Sequence, residues 1–170
     1  FVDKGYEGAS MEAIARQAGL TKGGIYHHFA GKDEIFLAAN SLFMEPVHRM
    51  IADAVESGNP RMGLKGFLID YLQWWKDHPR DMTFVMLTLY KKLKNPDYWP
   101  EMSKYTSEMT NFYKHMLEAA VAQGEANPMR DVDARAFALS GAVDGLVAYV
   151  VMDPALDAET CAEKLLRAFL

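Results

Sequence analysis

Apolar residues recur at spacings of three and four along the whole chain, and strand-like alternation is nearly absent. Gly, Pro and Asn interrupt this pattern at intervals of roughly ten to twenty-five residues, so the sequence predicts an all-α fold of about nine helices. Ser10 is placed to cap a short helix with Met11, Ile14, Ala15 and Ala18 on one face and Gly19 at its end. Thr21 is placed to cap a second, which carries Ile25, Tyr26 and Phe29 and closes at Ala30-Gly31. Asp33 opens a long helix whose inner stripe is Ile35, Ala39, Leu42, Phe43, Val47, Met50 and Ala54, ending near Gly58-Asn59-Pro60. Pro46 lies inside that helix, where it removes one backbone hydrogen bond and predicts a kink.

The next helix spans Met62 to His78 with Leu64, Phe67, Leu68, Tyr71 and Trp75 inward, and Pro79 stops it. Met82 to Leu93 is apolar nearly all round, which predicts burial on most sides. Residues 101–123 place Tyr105, Met109, Phe112, Met116 and Ala119 on one stripe, and helices over 132–152 and 157–170 complete the chain. Two short helices ahead of a larger body predict a head over residues 1–45 and a body over residues 46–170.

At 50% hydrophobic and 24% charged residues, the 170-residue chain is no disordered polymer. No uncharged apolar run approaches the ~18–20 residues of a membrane span, and the first residues lack the regions of a secretory signal. A cytoplasmic protein with no membrane partner is expected. Cys161 stands alone, so neither a disulfide framework nor a cysteine-rich zinc site can form within the chain. A net charge of −5 argues, by itself, against nucleic acid as a partner. The local distribution changes that picture. Between Gly8 and Lys32 the cations Arg16, Lys22 and Lys32 face one acid, Glu12.

Those residues also carry the strongest motif. Two short helices joined by Gly19-Leu20-Thr21 have the form of a helix-turn-helix, whose second helix enters the DNA major groove. Lys22, Gly23 and Gly24 occupy the first turn of that helix, where small side chains let the backbone approach the duplex and the amides carry partial positive charge. Ile25 and Phe29 hold it against the first helix, leaving Ser10, Tyr26, His27 and Lys32 to meet backbone oxygens.

The run Phe1, Gly5-Tyr6, Ala9-Ser10-Met11, Ile14-Ala15, Ala18 through Phe29 and Lys32-Asp33-Glu34 resembles the DNA-binding head of TetR/AcrR-type transcriptional regulators. The resemblance implies that Lys22, Gly23 and Gly24 face base edges of a double-stranded operator, while Ser10, Thr21, Tyr26, His27 and Lys32 face phosphates. It also implies that the family's N-terminal arm and the start of helix 1 precede Phe1. Glu12 departs from the pattern, an acid where members often carry a basic or polar residue.

Beyond the head, residues 62–116 are rich in Met and aromatic side chains, Trp99 among them, and such side chains line adaptable small-molecule sites. The resemblance implies that this body holds the inducer. Met82, Met86, Tyr90, Tyr105, Met109, Phe112 and Met116 are the candidate lining, Trp74 or Trp75 a wall, and His78 and His115 further polar candidates. Ala138, Gly141, Ala142, Gly145 and Ala148 form a small-residue stripe that lets two helices approach closely, and the last helix adds Ala162, Leu165 and Phe169. The resemblance implies that these two helices pair with their copies in a homodimer.

The resulting expectation is a ligand-responsive DNA-binding regulator, a repressor released by a small apolar or aromatic effector, with no cofactor. The alternative is a helical small-molecule-binding or interaction protein without DNA-binding activity. An enzyme is not expected. Glu45 and His48 supply one Glu-x-x-His where a di-iron bundle needs two, and Tyr90 with Lys94 has no Gly-rich cofactor loop before it.

Overall fold

A computed structural model describes residues 1–98 and 101–170, with all of their side chains except those of Phe43, Glu101 and Met102. The side chain of Phe43 and the whole of Trp99 therefore lie outside the described residues. The described residues contain nine helices and no strand: α1 (Gly5–Gly8), α2 (Met11–Gln17), α3 (Lys22–His28), α4 (Lys32–Glu56), α5 (Pro60–Asp77), α6 (Pro79–Lys94), α7 (Glu101–Ala122), α8 (Val132–Met152) and α9 (Ala158–Phe169). The short α1 carries no periodicity from which it could be read. The remaining helices match the sequence pattern to within about three residues at each end.

The chain divides into two compact units, and α4 runs through both, with the division between Glu45 and Pro46. It stays one helix across Pro46. The carbonyl that proline leaves without its helical donor is that of Leu42, a residue 65% exposed, so water can take the bond.

One unit comprises Phe1–Glu45 and Arg80–Trp99. Met11, Ala15 and Ile25 form its first core, with Ile14, Phe29 and Ile35 packed around them. Gly19 turns the chain at φ +68°, and the amides of Gly19 and Leu20 close the end of α2 on the carbonyls of Arg16 and Ala15 (3.2 and 2.9 Å). A second core is aromatic. Phe36, fully buried, meets Phe1 edge-on at 4.9 Å and Phe84 at 4.6 Å between ring centroids. Beside it the Thr88 hydroxyl donates to Asn40 Oδ1 at 2.9 Å, so the buried polar pair joining α4 to α6 is satisfied.

The expected burial of α6 on most sides does not occur. Phe84 and Thr88, four residues apart, face the core, whereas Met86, Tyr90 and Leu93 are 45%, 59% and 82% exposed. Only one face of the helix finds a packing partner, whatever the apolar content of the other.

The other unit comprises Pro46–Pro79 and Pro100–Leu170, with α5 packed against α7, α8 and α9 and α7 against α8. Leu64, Phe67, Leu68 and Leu72 of α5 meet Leu117, Leu139, Val143, Leu165 and Leu166 of the others in its core. The turn from α4 to α5 is tightly bonded. Ser57 Oγ donates to the Ala54 carbonyl at 2.8 Å, Asn59 caps α5 by accepting from Met62 N at 2.7 Å, and Glu125 accepts from Asn59 and from Arg61 N. By length and composition α8 is long and apolar enough to cross a membrane, with mean hydropathy 1.4, although Asp133, Arg135 and Asp144 interrupt it and leave no uncharged run of that length.

Candidate functional site

Each element of the head is shaped by its first residue. Ser10 Oγ accepts from Ala13 N at 3.1 Å and starts α2, while Thr21 Oγ1 accepts from Gly24 N at 3.0 Å and starts α3. Both hydroxyls keep a proton with which to donate to a phosphate. Ile25 is buried, so α3 is held by one side and shows Lys22, Gly23, Tyr26, His27 and His28 to solvent. A Cβ at Gly23 would have no atom within 4 Å. The exposed first turn of α3, with its amides and Lys22, is therefore open to close approach.

Glu12 acquires a role here. Its Oε1 lies 2.5 Å from Lys22 Nζ, joining α2 to α3 across their exposed surface. The hydrogen bond and charge of Lys22 hold the Glu12 carboxyl below its ordinary range, and the same contact raises the Lys22 ammonium. Glu12 would thus compete with any nucleic-acid group for Lys22. Glu12→Gln is expected to tighten operator binding by about threefold to tenfold and to steepen its salt dependence. Fluorescence anisotropy at several salt concentrations reads both, and unchanged affinity would remove Glu12 from this role.

Lys32 does not present its charge to a phosphate. Its Nζ donates to the Tyr6 carbonyl at 2.7 Å and sits 4.2 Å from the centroid of the Tyr6 ring. A carbonyl at the end of α1 and an aromatic face satisfy the ammonium inside the unit. Asp33, next in sequence, is the centre of a network that sequence reasoning missed. Its Oδ1 accepts from the Tyr6 hydroxyl and from Lys91 Nζ, both at 2.7 Å, and the Lys91 ammonium lies against the Tyr6 ring. This ties α1, α4 and α6 together. Lys91 is 58 positions from Asp33, and no local pattern signals the pairing.

Burial alone would raise the Asp33 carboxyl, but the hydrogen bonds from Lys91 and Tyr6 outweigh it and hold the group below its ordinary range. A carboxylate held down in the fold stabilises it above the unfolded value of about 3.9 and ceases to do so as pH falls through the lower folded value. With the Asp33 side chain 60% exposed, the contribution is under about 1 kcal/mol. Asp33→Asn is expected to cost that amount at pH 7, and in urea titrations the difference from the parent chain should be lost as pH falls through the lowered folded value.

The expected effector lining is divided between the two units. Met82, Met86 and Tyr90 lie on α6 in the first, the latter two exposed. Trp74, Trp75, Tyr105, Met109, Phe112 and Met116 lie in the second, where Trp75, Met109, Phe112 and Met116 are buried. There the Tyr71 hydroxyl is 3.3 Å from that of Tyr105, the Tyr71 ring meets Trp75 edge-on at 6.1 Å, and Phe67 packs on Phe112 at 4.6 Å. Trp74 stacks on His78 at 4.8 Å, and His78 Nδ1 is 2.7 Å from the Trp74 carbonyl. Met116 and His115 also border a cleft of about 140 Å³ beside Asn59 and Pro60.

On α8, Ala138, Gly141 and Gly145 are exposed and Ala142 and Ala148 half-buried, with Phe137, Tyr149 and Met152 61–70% exposed around them. A broad apolar face is therefore uncovered within one chain. Ala162 and Leu165 of α9 do not share it. They are 0% and 9% exposed in the chain's own core, and Phe169 is half-buried beside Leu64, Leu68 and Leu139. The amphipathic α9 has one apolar stripe, and α5 takes it.

Residues 1–39 match the family described as bacterial regulatory proteins, tetR family. The HTH-type transcriptional regulator PksA of Bacillus subtilis is 30% identical over 156 residues, covering 90% of this chain and 74% of that protein. The HTH-type transcriptional repressor Rv1474c of Mycobacterium tuberculosis is 31% identical over 135 residues, 77% of this chain and 64% of its own length. Among solved structures, the transcriptional regulator FadR from Bacillus subtilis in complex with stearoyl-CoA superposes with a TM-score of 0.76 at 21% identity, covering 99% of this chain and 90% of that one.

Proposed function

Because the chain belongs to the TetR family of bacterial transcriptional regulators, we propose that it is a homodimeric, effector-responsive repressor acting on operator DNA in the cytoplasm. The observation that carries this reading is the exposed first turn of α3, where Lys22 and Gly23 present a cation and backbone with open space around Gly23, while the Gly24 amide is held by the Thr21 cap. In it Lys22, Gly23 and Gly24 approach base edges, and Ser10, Thr21, Tyr26 and His27 hold phosphates. Relatives named as regulators and repressors favour it over a helical binding protein without DNA recognition. They also make enzymatic activity unexpected.

The body, residues 46–170, takes a small apolar or aromatic effector, a reading supported by its buried Met and aromatic side chains and by the stearoyl-CoA held by FadR. Since α4 belongs to both units, rearrangement in the body is passed along one helix, with a coupling of about 1–3 kcal/mol. The uncovered face of α8 pairs with its copy, setting two heads about one helical turn of DNA apart, ~34 Å.

Two experiments test this. The protein is titrated onto duplexes from upstream of its own gene and onto a scrambled duplex, at several salt concentrations. Binding no tighter to the former than to the latter would overturn the regulatory reading. Gly141→Glu is expected to raise the dimer dissociation constant at least tenfold in sedimentation, since a side chain there meets no atom of its own chain within 4 Å. An unchanged dimer would place the interface elsewhere.

A further inference from the structure

By itself α3 is a weak helix. It is seven residues long with two glycines in its first turn, and it is held by Ile25 in the core with Met11 and Ala15 and by Phe29 against them. Three residues separate it from α4, and the first turn of α4 bonds back across them. The Ala30 amide donates to Glu34 Oε2 at 2.5 Å, and the Ile35 amide donates to the Gly31 carbonyl at 3.4 Å. The placement of that turn therefore sets the direction in which α3 meets α4.

The same turn carries Lys32 and Asp33, and both reach the rest of the unit. Lys32 Nζ donates to the Tyr6 carbonyl, while Asp33 Oδ1 accepts from the Tyr6 hydroxyl and from Lys91 Nζ, each at 2.7 Å. Lys91 is the member of this group that comes from α6. Its side chain is 18% exposed, and its Nζ lies 2.9 Å from the centroid of the Tyr6 ring, 4.3 Å from that of Tyr98 and 5.5 Å from that of Phe36. An ammonium enclosed in this way has given up much of its hydration, and a carboxylate and aromatic faces replace it. Along the same helix Arg80 Nη2 meets Asp3 Oδ1 at 2.7 Å and Thr88 bonds Asn40. The unit that holds α3 is thus tied to α6 along the length of that helix.

We propose that Lys91 is a positioning residue for operator recognition: by holding Asp33 and Tyr6 it fixes the first turn of α4, and with it the angle at which α3 is presented. It makes no contact with DNA in this role. Without it α3 stays packed on α2 but samples a wider range of directions, and the order given up in the free protein has to be regained on binding. Affinity falls for that reason. The slope of affinity against salt does not, since no contact to a phosphate is lost.

The inference rests on the operator-binding reading, and two readouts keep them apart. In the DNA-free protein, amide hydrogen exchange over residues 22–35 is expected to quicken at least about tenfold in Lys91→Met relative to α5 and α8. Unchanged exchange, or an equal quickening in the body, overturns the inference whether or not the chain binds DNA. On a duplex from upstream of its own gene, Lys91→Met is expected to bind at least about tenfold more weakly than the parent chain with the salt slope unchanged. Lys91→Arg, which can still pair with Asp33 and lie against the Tyr6 ring, should stay within about threefold. So should Lys94→Met, which removes the same charge from the exposed end of α6. A salt slope lowered by about one would make Lys91 a phosphate contact, and an equal loss in Lys94→Met would make the effect one of general charge. Either result overturns the proposal, as does a Lys91→Met affinity within threefold of the parent. If Lys91→Met fails to fold by circular dichroism, Lys91→Gln decides by the same thresholds. A parent chain that binds this duplex no tighter than a scrambled one overturns the regulatory reading, and the exchange measurement then decides the role of Lys91.

Discussion

Gly63→Ala is expected to destabilise the chain by about 3 kcal/mol and to lower Tm by about 10 °C. Within α5 an alanine would ordinarily gain up to about 1 kcal/mol over glycine, so propensity predicts the opposite sign. Packing overrides it. A Cβ at position 63 would fall on the Ala54 carbonyl oxygen and within 2.5 Å of Ser57 Oγ, at the turn where α4 hands over to α5. The Ala54 oxygen is backbone and already accepts from Ser57 Oγ at 2.8 Å, while Asn59 and Glu125 pin the other side of the turn. Relief therefore requires moving a helix rather than turning a side chain. Gly66, on the same helix with no atom within 4 Å of a built Cβ, is the control, and Gly66→Ala should stabilise by about 0.5–1 kcal/mol. Thermal melts of both variants decide the matter. If Gly63→Ala melts at or above the parent temperature, α4 and α5 are not in the close contact described.

Gly23→Leu should leave the free protein as stable as the parent or more so, by about 0.5–0.8 kcal/mol, and reduce operator affinity at least about 100-fold. The two effects have different origins. In the free protein a side chain at Gly23 points into open space, so the fold accepts it and α3 gains helix propensity. On DNA the same atoms hold the backbone of the first turn, with its unpaired amides and Lys22, away from the groove. Gly24 is not equivalent, because a Cβ there would lie 3.2 Å from Thr21 Oγ1 and press on the capping bond itself. A melt and an anisotropy titration on one preparation read both numbers. Affinity retained within threefold would show that α3 does not approach DNA through this turn.

The helices were legible wherever period and punctuation agree. Ser10, Thr21, Asn59, Asp131 and Asp157 each accept from a backbone amide three residues on, and these five helices start at such a capping residue. The exposed turn of α3 was legible for the same reason, since cap, glycines and inward Ile25 are all local. What failed was long-range. The inward turn of Lys32, the Asp33 network with Lys91 and the open face of α6 depend on a helix that joins the first unit from 80 residues along the chain. The place of Leu165 in the core depends on α5, not on α9 itself.

The sequence by itself determined the all-α class, the helix ends and the helix-turn-helix surface, because propensity, capping and periodicity act within about one helical turn. Only the tertiary structure decided which apolar faces are covered, which charges are already paired, and that the hydroxyls of Tyr71 and Tyr105 meet in the body. An apolar face looks the same in sequence whether a neighbouring helix, a second copy or a ligand covers it. That choice is made by packing between distant segments, which spacing along the chain does not encode.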